Sequence, residues 1–443
     1  MSNLIHNLSK PVFISDFDLF SVPMTQTSIE KNIVTEHRPI STLSSDSIIE
    51  FNVDSGPNEY IQLRESYLYM KIRVDINKTG GNILEADWDK IGSVNTLLHS
   101  LFRTVNLEIS RKSVTMSPQT YSYKAYFETI LGYTLEAKQG YLDSAGAFDD
   151  SVAKQTLSDK AIKTLKPTNI TTNGRGKSIE LYGKLHLDLA FQPKALIGGT
   201  KLRISLVPNE PKFYLWATDN TLTPTVTFEN AALYVTKSLL NQDLVDAHNL
   251  ALMKGTAKYP IMRGYVKAFT INSGTLDVNL DNCITGQIPR RIFVAMVKNK
   301  TFLGDLKENP YNFEDFNLNY LTASVNGIQF SSVAFTPDFP NNLFAREYMS
   351  LFQTLNQTST DATLDLDQSE YKGGNVIFGF AFAPDPIDDC NKTGYVNPIE
   401  HGAVKLNMKF AQALTENITV LIYCEYDNMI QIDVTRQPII DYI

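Results

Sequence analysis

The sequence has 443 residues, of which 43% are hydrophobic and 20% are charged, enough apolar material for two globular domains. Its formal charge of −8 disfavours direct binding of nucleic acid, because a polyanion would be repelled. Three cysteines without a CxxC spacing, Cys283, Cys390 and Cys424, exclude a disulfide framework and a zinc cage and favour a reducing compartment. No stretch approaches the roughly eighteen consecutive apolar residues of a membrane helix, so membrane insertion is not expected.

Residues 1–44 are predicted to form an extended N-terminal arm. Their start lacks the basic residues and apolar run of a signal peptide, so we expect the protein to stay soluble inside the cell. Basic side chains do not outnumber acidic ones, which argues against a genome-binding arm. The charged residues considered are Lys10, Lys31 and Arg38 against Asp16, Asp18, Glu30 and Glu36.

Alternation of apolar and polar side chains dominates the rest of the chain and predicts half-buried strands. In residues 67–74, for example, Leu68 and Met70 face one way while Tyr69 and Lys71 face the other. Many short strands and few long helices indicate an all-β sandwich or barrel. The same alternation recurs in residues 105–109, 185–189, 202–206, 376–382, 404–410 and 418–424.

The order of features looks duplicated. Helical segments are predicted at residues 121–133 and 343–356, each after a strand and a loop. Chance likeness between two unrelated β domains is one explanation, and fusion of two copies of one eight-stranded sandwich is the other. The matched pairs are Tyr126 with Tyr348, residues 68–74 with 293–299, Arg111-Lys112 with Asn326-Gly327, and Lys201-Leu202 with Lys405-Leu406.

We therefore predict two tandem jelly rolls, over residues 45–237 and 258–435, with a short helix in each and extended terminal arms. Leucines at helical spacing in residues 238–254 predict a helical linker, placed at 238–257. Residues 436–443 form a largely apolar tail that packs either on a partner or on its own domain. Two long polar excursions, 135–177 and 357–374, are expected to be surface loops, the first with a helical stretch at 150–165.

One segment superficially resembles a phosphate-binding loop, Gly176-Lys177-Ser178. The position five before Gly176 is Thr171 rather than glycine, and the residues that follow predict a strand where a helix N-terminus is needed. We interpret the segment as an exposed flexible turn.

Two acidic clusters supply oxygen ligands for a hard cation, but neither has an EF-hand spacing, and turns between strands are rich in aspartate anyway. Whether an ion binds there stays open at this stage. The clusters are Asp365, Asp367 and Glu370, and Asp385, Asp388 and Asp389 beside Cys390.

The six histidines are scattered without a catalytic or metal-binding spacing. His186 alternates with Leu185 and Leu187 and is predicted to point away from the core. Cys424 lies in an apolar run and should behave as a small hydrophobic residue. We therefore assign no catalytic, cofactor-binding or metal residues and expect the protein not to be an enzyme.

Several stretches of the first third resemble the major capsid proteins of Polinton/Maverick elements and adintoviruses. They are residues 21–27 (SVPMTQT), 37–40 (HRPI), 49–51 (IEF), 60–63 (YIQL), 95–102 (NTLLHSLF), 105–109 (VNLEI) and 121–131 (YSYKAYFETIL). The region 185–206 agrees loosely, and the second half resembles the family mainly in pattern.

The resemblance implies a double jelly roll that forms homotrimers, pseudo-hexameric capsomers and an icosahedral shell. It implies contacts with neighbouring capsomers, penton and other minor capsid proteins, and no catalytic residues. The protein would be made in the host cytoplasm, assemble inside the cell, in the cytoplasm or the nucleus, and reside in the virion capsid. The main alternative is a carbohydrate- or receptor-binding β-sandwich acting as a minor capsid or attachment component, and a sandwich enzyme ranks third.

Overall fold

The computed structural model describes residues 8–10, 12, 14–115, 119–148, 154–169, 173–330, 333–360, 363–364, 366–385 and 395–442. Strands dominate both halves. The first half contains β1 (Ile29–His37), β2 (Ile49–Asp54), β3 (Glu59–Lys78), β4 (Ile91–Ser93), β5 (Phe102–Ile109), β6 (Lys112–Ser113), β7 (Ser178–Gly183), β8 (Lys201–Pro208), β9 (Leu215–Ala217) and β10 (Leu222–Leu240). The second half contains β11 (Ala257–Ile271), β12 (Asp277–Gln287), β13 (Arg291–Lys298), β14 (Leu318–Val325), β15 (Ile328–Gln329), β16 (Ile377–Ala381), β17 (His401–Phe410), β18 (Ile418–Ile432) and β19 (Pro438–Ile440).

The two halves have the same sheet topology. In the first, antiparallel sheets run β1-β10-β3-β7 and β2-β8-β5-β6, with the short β4-β9 ladder as an addition. In the second, they run β11-β18-β13-β16 and β12-β17-β14-β15, with β19 added beside β18. Leaving out the additions, both halves follow the order 1-8-3-6 and 2-7-4-5, so each is an eight-stranded jelly roll.

The duplication inferred from the sequence is confirmed by these equivalences. The strand around Leu68 is β3 and its match is β13, the third strand of each jelly roll. Lys201 and Lys405 lie in β8 and β17, the seventh strands, and the two matched turns join β5 to β6 and β14 to β15. Each of the matched helices lies in the connection between the fifth and the sixth strand of its jelly roll.

Helices are short and lie in the connections between strands. Those at the predicted segments 121–133 and 343–356 confirm the prediction within two residues at each end, whereas the stretch predicted at 150–165 is helical only from Asp159 in the described residues. No helix in the described ranges is both long and apolar enough to span a membrane. The helices are α1 (Glu85–Trp88), α2 (Leu97–Ser100), α3 (Tyr121–Gly132), α4 (Leu135–Gln139), α5 (Asp159–Leu165), α6 (Pro211–Tyr214), α7 (Gln242–Leu252), α8 (Asn299–Phe302), α9 (Ala345–Thr354) and α10 (Gln368–Lys372), with 3₁₀ turns at Ser15–Phe17, Tyr141–Ala145 and Asp188–Phe191.

Side-chain alternation explains the strands. In β3 the inward Leu68, Met70, Ile72 and Val74 are at most 1% exposed, while the residues between them are partly exposed. Strand β18 departs from this pattern, because residues 418–428 are buried on both faces. A strand buried on both faces needs a second layer outside its own sandwich, and α3 of the first jelly roll is part of that layer.

The linker and the N-terminal arm differ from the prediction at their edges. Residues 238–240, predicted as helix, continue β10, because they pair with β1 and β3. The linker helix α7 begins only after Asn241, whose side chain accepts a hydrogen bond from the Asp243 N–H at 3.0 Å. Likewise β1, placed in the arm by the sequence prediction, is the first strand of the first jelly roll, so the arm ends before Ile29.

The C-terminal tail packs on its own chain. Its strand β19 extends the second jelly roll by pairing with β18. After this strand the Tyr442 hydroxyl donates to the Val114 carbonyl at 2.8 Å, and before it the Arg436 Nε donates to the Gly198 carbonyl at 2.8 Å. Of the two alternatives left open by the sequence, the structure therefore shows docking on the chain itself, with the tail bridging both jelly rolls.

The two equivalent hairpin turns have the same backbone form but different residues. Asn326 and Gly327 have φ of 52° and 82°, and Ser110 and Arg111 have φ of 49° and 70°. Each pair is the two-residue loop of a tight hairpin, which requires the left-handed region at both positions. Only the second turn has a glycine to meet that requirement without a steric penalty.

We expect Arg111→Gly to raise the free energy of unfolding by about 0.5–1 kcal/mol, because it removes a left-handed, Cβ-bearing residue. Gly327→Ala should lower it by about 1 kcal/mol for the converse reason. Urea unfolding midpoints of both variants and of wild type provide the measurement. Equal effects of the same sign at the two turns would contradict this interpretation.

Candidate functional site

The loop around Gly176 is tightly packed rather than flexible. The Gly176 N–H donates to Asp75 Oδ1 at 3.0 Å, and a Cβ at Gly176 would lie 1.8 Å from the Val74 carbonyl oxygen. The Lys177 Nζ donates to the Lys163 carbonyl at 2.7 Å. The predicted strand does follow, as β7 from Ser178, but the interpretation as a flexible turn is wrong because these glycines let the loop lie against β3.

The acidic residues that the structure describes serve local structure. Asp367 and Glu370 form a capping box at α10, with Asp367 Oδ1 accepting the Glu370 N–H at 2.7 Å and Glu370 Oε2 accepting the Asp367 N–H at 2.9 Å. Asp385 Oδ2 accepts a hydrogen bond from the Tyr395 hydroxyl at 2.5 Å. Within the described ranges no three His, Cys, Asp or Glu side chains converge as metal ligands. Asp365, Asp388, Asp389 and Cys390 lie outside the described residues.

The prediction for Cys424 is confirmed, whereas that for His186 is wrong. Cys424 is fully buried, and burial raises the pKa of its thiol to about 12, which disfavours the nucleophilic thiolate. His186 is only 4% exposed, because the chain after β7 turns under α3 instead of continuing as an exposed strand. Its partners belong to a cluster between the two jelly rolls.

An aromatic wedge on α3 joins the two jelly rolls. The Tyr126 ring stacks on Tyr311 with a centroid distance of 4.0 Å and an interplanar angle of 6°. The Phe127 ring stacks on Phe313 at 5.2 Å and on Tyr423 of β18 at 5.4 Å. Offset and stacked aromatic pairs add about 0.5–1.5 kcal/mol each beyond their buried area, so this wedge fixes how the jelly rolls meet.

A buried cluster of charged groups borders the wedge. The Lys124 Nζ donates to Asp188 Oδ1 at 2.5 Å, and the same carboxylate oxygen accepts the Gly264 N–H of β11 at 3.1 Å. His186 Nδ1 lies 2.6 Å from Glu128 Oε2. Burial raises the pKa of Glu128 to about 7 and lowers that of His186 to about 3, so both shifts favour the uncharged forms.

The second jelly roll contributes a similarly buried ion network. Arg291 Nε donates to Glu425 Oε2 at 2.5 Å, and Arg290 Nη2 donates to the same oxygen at 3.2 Å. Although burial opposes it, the two guanidinium groups hold the pKa of Glu425 below its ordinary value. Arg291 Nη1 also donates to the Thr354 carbonyl at the end of α9. The network therefore anchors α9 to its own barrel.

The long excursion after α4 reaches the wedge through Lys154. This side chain is 1% exposed, and its Nζ donates to the Tyr126 hydroxyl at 2.5 Å and the Tyr311 carbonyl at 2.9 Å. Phe148 and Leu165 of the excursion are also buried. The segment expected to be a surface loop is thus partly packed into the joint between the jelly rolls.

The charged cluster has no room for a substrate. The cavity beside Lys124, His186 and Asp188 has a volume of about 20 Å³, which is enough for about one water molecule. Its polar groups point at one another rather than into open space. The arrangement can therefore hold two domains together and bind protons, whereas a reacting ligand would not fit.

Opposite pH dependences are expected for two variants of the cluster. Glu128, with its pKa raised from 4.5 to about 7, contributes stability that is present below pH 4.5 and lost as pH rises to about 7. His186, with its pKa lowered from 6.5 to about 3, contributes stability that is present above pH 6.5 and lost as pH falls. Relative to wild type, Glu128→Gln should lose stability as the pH falls from about 6.5 to 5. His186→Gln should instead lose stability relative to wild type as the pH rises from about 5 to 6.5. Each change should amount to at most about 1.4 kcal/mol per pH unit. Urea titrations of the three proteins at several pH values measure this, and slopes of the same sign would contradict it.

Sequence reasoning missed most of this joint. Tyr126 and Phe127 were recognised as part of a helix, but period-two and helical patterns do not reveal which residues face another domain. The signals that could have pointed to the joint are the continuous apolar run of β18 and the charged residues Lys124 and Glu128 on an otherwise aromatic helix. A charged pair on an apolar helix face indicates buried partners elsewhere.

No protein family model matches the chain. A Caenorhabditis elegans protein, which carries the name of an uncharacterized protein, is 26% identical over 436 residues, covering 95% of this chain and 100% of that protein.

Solved structures of viral capsids are similar over almost the whole chain. The Sputnik virophage cryo-EM structure matches with a TM-score of 0.65 at 13% identity, covering 100% of this chain and 95% of that chain. The mavirus major capsid protein matches with 0.56 at 9% identity, covering 100% and 96%, and the PBCV-1 virus capsid with 0.54 at 12% identity, covering 96% and 99%. With the repeated sheet order, these similarities establish that the chain has the double jelly-roll fold of viral major capsid proteins.

Proposed function

We propose that the protein is a structural major capsid protein of the Polinton/Maverick and adintovirus type, which trimerises into pseudo-hexameric capsomers and builds an icosahedral shell. The resemblance of the first third of the sequence supports the Polinton/Maverick and adintovirus type, and the double jelly-roll fold supports the role as a capsid protein. The observation that carries the trimer is the way the two jelly rolls of one chain meet, because the side of the second jelly roll that corresponds to α3 exposes apolar side chains.

The joint between the jelly rolls is directional. Helix α3, in the connection before the sixth strand of the first jelly roll, packs on β11 and β18, the first and eighth strands of the second. By the duplication, the equivalent helix is α9 and the equivalent strands are β1 and β10. In the described chain, Leu343 and Met349 at α9 are 65% and 42% exposed, and Val34 of β1 is 64% exposed.

The equivalent hairpins show the same asymmetry. The C-terminal tail contacts the first one, where Ser110 Oγ donates to the Arg436 carbonyl at 2.7 Å and Lys112 Nζ to the Pro438 carbonyl at 3.1 Å. In the second hairpin, Ile328 is 75% and Phe330 is 44% exposed. The exposed apolar side of the second jelly roll is therefore suited to the first jelly roll of another copy.

Repeating this head-to-tail contact makes a ring. In the trimer that the resemblance implies, every barrel-to-barrel step would resemble the step within the chain, and the ring of three chains would contain six barrels. Obligate contacts between chains are large and apolar. The exposed apolar residues at α9 and the second hairpin fit a contact of this kind. Neighbouring capsomers, penton and other minor capsid proteins would then meet the outer edges of the trimer.

On this proposal the protein acts by assembly rather than by catalysis, resides in the virion capsid, and has no direct nucleic-acid contact. The charge of −8 is consistent with the last point. Synthesis in the host cytoplasm and assembly inside the cell, in the cytoplasm or the nucleus, complete the proposal. The division into an arm, two jelly rolls, a linker near residues 238–257 and a tail from residue 436 is part of it.

The solution mass tests the trimer directly. We expect light scattering of the purified chain to give three times its 49.7 kDa and electron microscopy to show particles of hexagonal outline that form lattices or shells. A stable monomer at micromolar concentration would contradict the proposal.

A double variant tests the surface. We expect Leu343→Asp with Met349→Asp to give monomers with an unchanged thermal midpoint of the isolated chain, because the carboxylates would be buried unpaired at the contact. The matched control is Leu276→Asp, at a residue 52% exposed in a loop of the same jelly roll outside the proposed contact. Equal loss of trimer in both proteins, or none in either, would rule out α9 as the contact.

A further inference from the structure

The N-terminal arm exposes a run of apolar side chains. Between residues 14 and 24, apart from the 3₁₀ turn Ser15–Phe17 and a bend at Phe20, the chain has no regular secondary structure. Its large apolar side chains are between 57% and 103% exposed, which is unfavourable for a segment that stays in water. They are Ile14, Phe17, Leu19, Phe20, Val22 and Met24.

The base of the arm is fixed beside the linker helix. The Asn241 N–H, at the N-terminus of α7, donates to the Ser28 carbonyl at 3.1 Å. The Gln26 side chain accepts from the Ile29 N–H at 3.0 Å and donates to its carbonyl at 3.1 Å. In contrast, the hydrogen bonds described for residues 14–24 join residues of that segment to one another.

An apolar groove runs along the same helix. It has a volume of about 480 Å³, in the range of sites that bind drug-sized ligands, and lies between α7 and the two jelly rolls. Its floor is apolar and consists of residues from the first jelly roll, the linker and the second jelly roll. The side chains are Tyr60, Ile197, Leu240, Ala251, Leu252 and Tyr259.

The charges of groove and arm are opposite. Lys194 and Lys258 line the groove, and the Lys194 Nζ donates to the Lys258 carbonyl at 3.2 Å. Residues 14–24 contain Asp16 and Asp18 and no basic residue. Hydrogen bonds from Ser21 hold the pKa of Asp18 below its ordinary value, so the arm stays anionic.

We propose that residues 14–24 of one copy bind in the groove along α7 of a second copy, with the aromatic and aliphatic side chains on its apolar floor and Asp16 and Asp18 beside the groove lysines. The inference rests on the proposed assembly function and names one of its contacts. It assigns the linker helix a role as a receptor for a neighbouring chain, in addition to joining the two jelly rolls.

The occupant is a second copy because the arm of the same chain stands clear of the groove. Met24, four residues before the fixed Ser28, is fully exposed, and the side chains further out are more than half exposed. Eleven residues span at most roughly 36 Å when fully extended, so the arm is long enough to reach a neighbouring molecule. A contact between different surfaces of identical chains is heterologous and suits a closed ring or a lattice.

Disulfide trapping between two differently tagged copies tests the contact. One copy carries Phe20→Cys and the other Ala251→Cys, both with Cys390→Ser, since the remaining cysteines Cys283 and Cys424 are buried. We expect a disulfide between the two tags in the mixed sample, under conditions where trimers or lattices form. The matched control replaces Ala251→Cys by Leu276→Cys, which should give at least tenfold less product.

A charge exchange provides a second test of the contact. Lys194→Glu with Lys258→Glu should lower the rate of trapping about tenfold, and combining it with Asp16→Lys and Asp18→Lys on the arm should restore the rate. Trapping no stronger than the control, or failure of the exchange to restore the rate, would each overturn the inference.

The solution mass separates this inference from the proposed function. A wild-type trimer without trapping between tags would refute the arm contact and leave the capsomer intact. A wild-type monomer would refute both.

Discussion

The stack of α3 on the second jelly roll is the contact on which the rest of the molecule depends. Tyr126 on Tyr311 and Phe127 on Tyr423 join residues that are distant in sequence, and each ring is nearly parallel to its partner. Removing the wedge would expose β18, whose residues are buried on both faces. The first jelly roll therefore covers part of the core of the second. The two jelly rolls pack on each other and are not independent domains joined only by a linker.

Charged groups at this joint add specificity rather than simple attraction. Burying Lys124, Glu128 and Asp188 costs desolvation energy that only well-placed partners offset. Because Asp188 accepts from both Lys124 and the Gly264 N–H, a small rotation of one jelly roll against the other would leave a buried charge unpaired. Apolar stacking tolerates such a rotation, and the paired charges do not.

Much of the fold was predictable because the relevant signals are local. Alternation identified β3, β5, β8, β16, β17 and β18, and the duplicated order located β13, both helices and both hairpins. Two errors have the same physical origin. Residues 29–37 and His186 show weak or misleading alternation, since β1 is a half-exposed edge and His186 follows a turn that alternation does not detect. The joint itself was not predictable, because its partners are joined only by tertiary packing.

The two halves share a topology but differ at the surfaces that an assembly has to distinguish. The C-terminal tail hydrogen-bonds to the hairpin of the first jelly roll, whereas the hairpin of the second exposes the apolar side chains of Ile328 and Phe330. With identical halves, each barrel could bind either neighbour, and the number of chains in a ring would not be defined. In the proposed trimer, a tail that contacts one hairpin would leave the other free for a neighbouring copy, and the geometry of the joint within the chain would set the angle at which that copy is added. The fused duplication would thus make the intrachain joint a template for the proposed contact between chains.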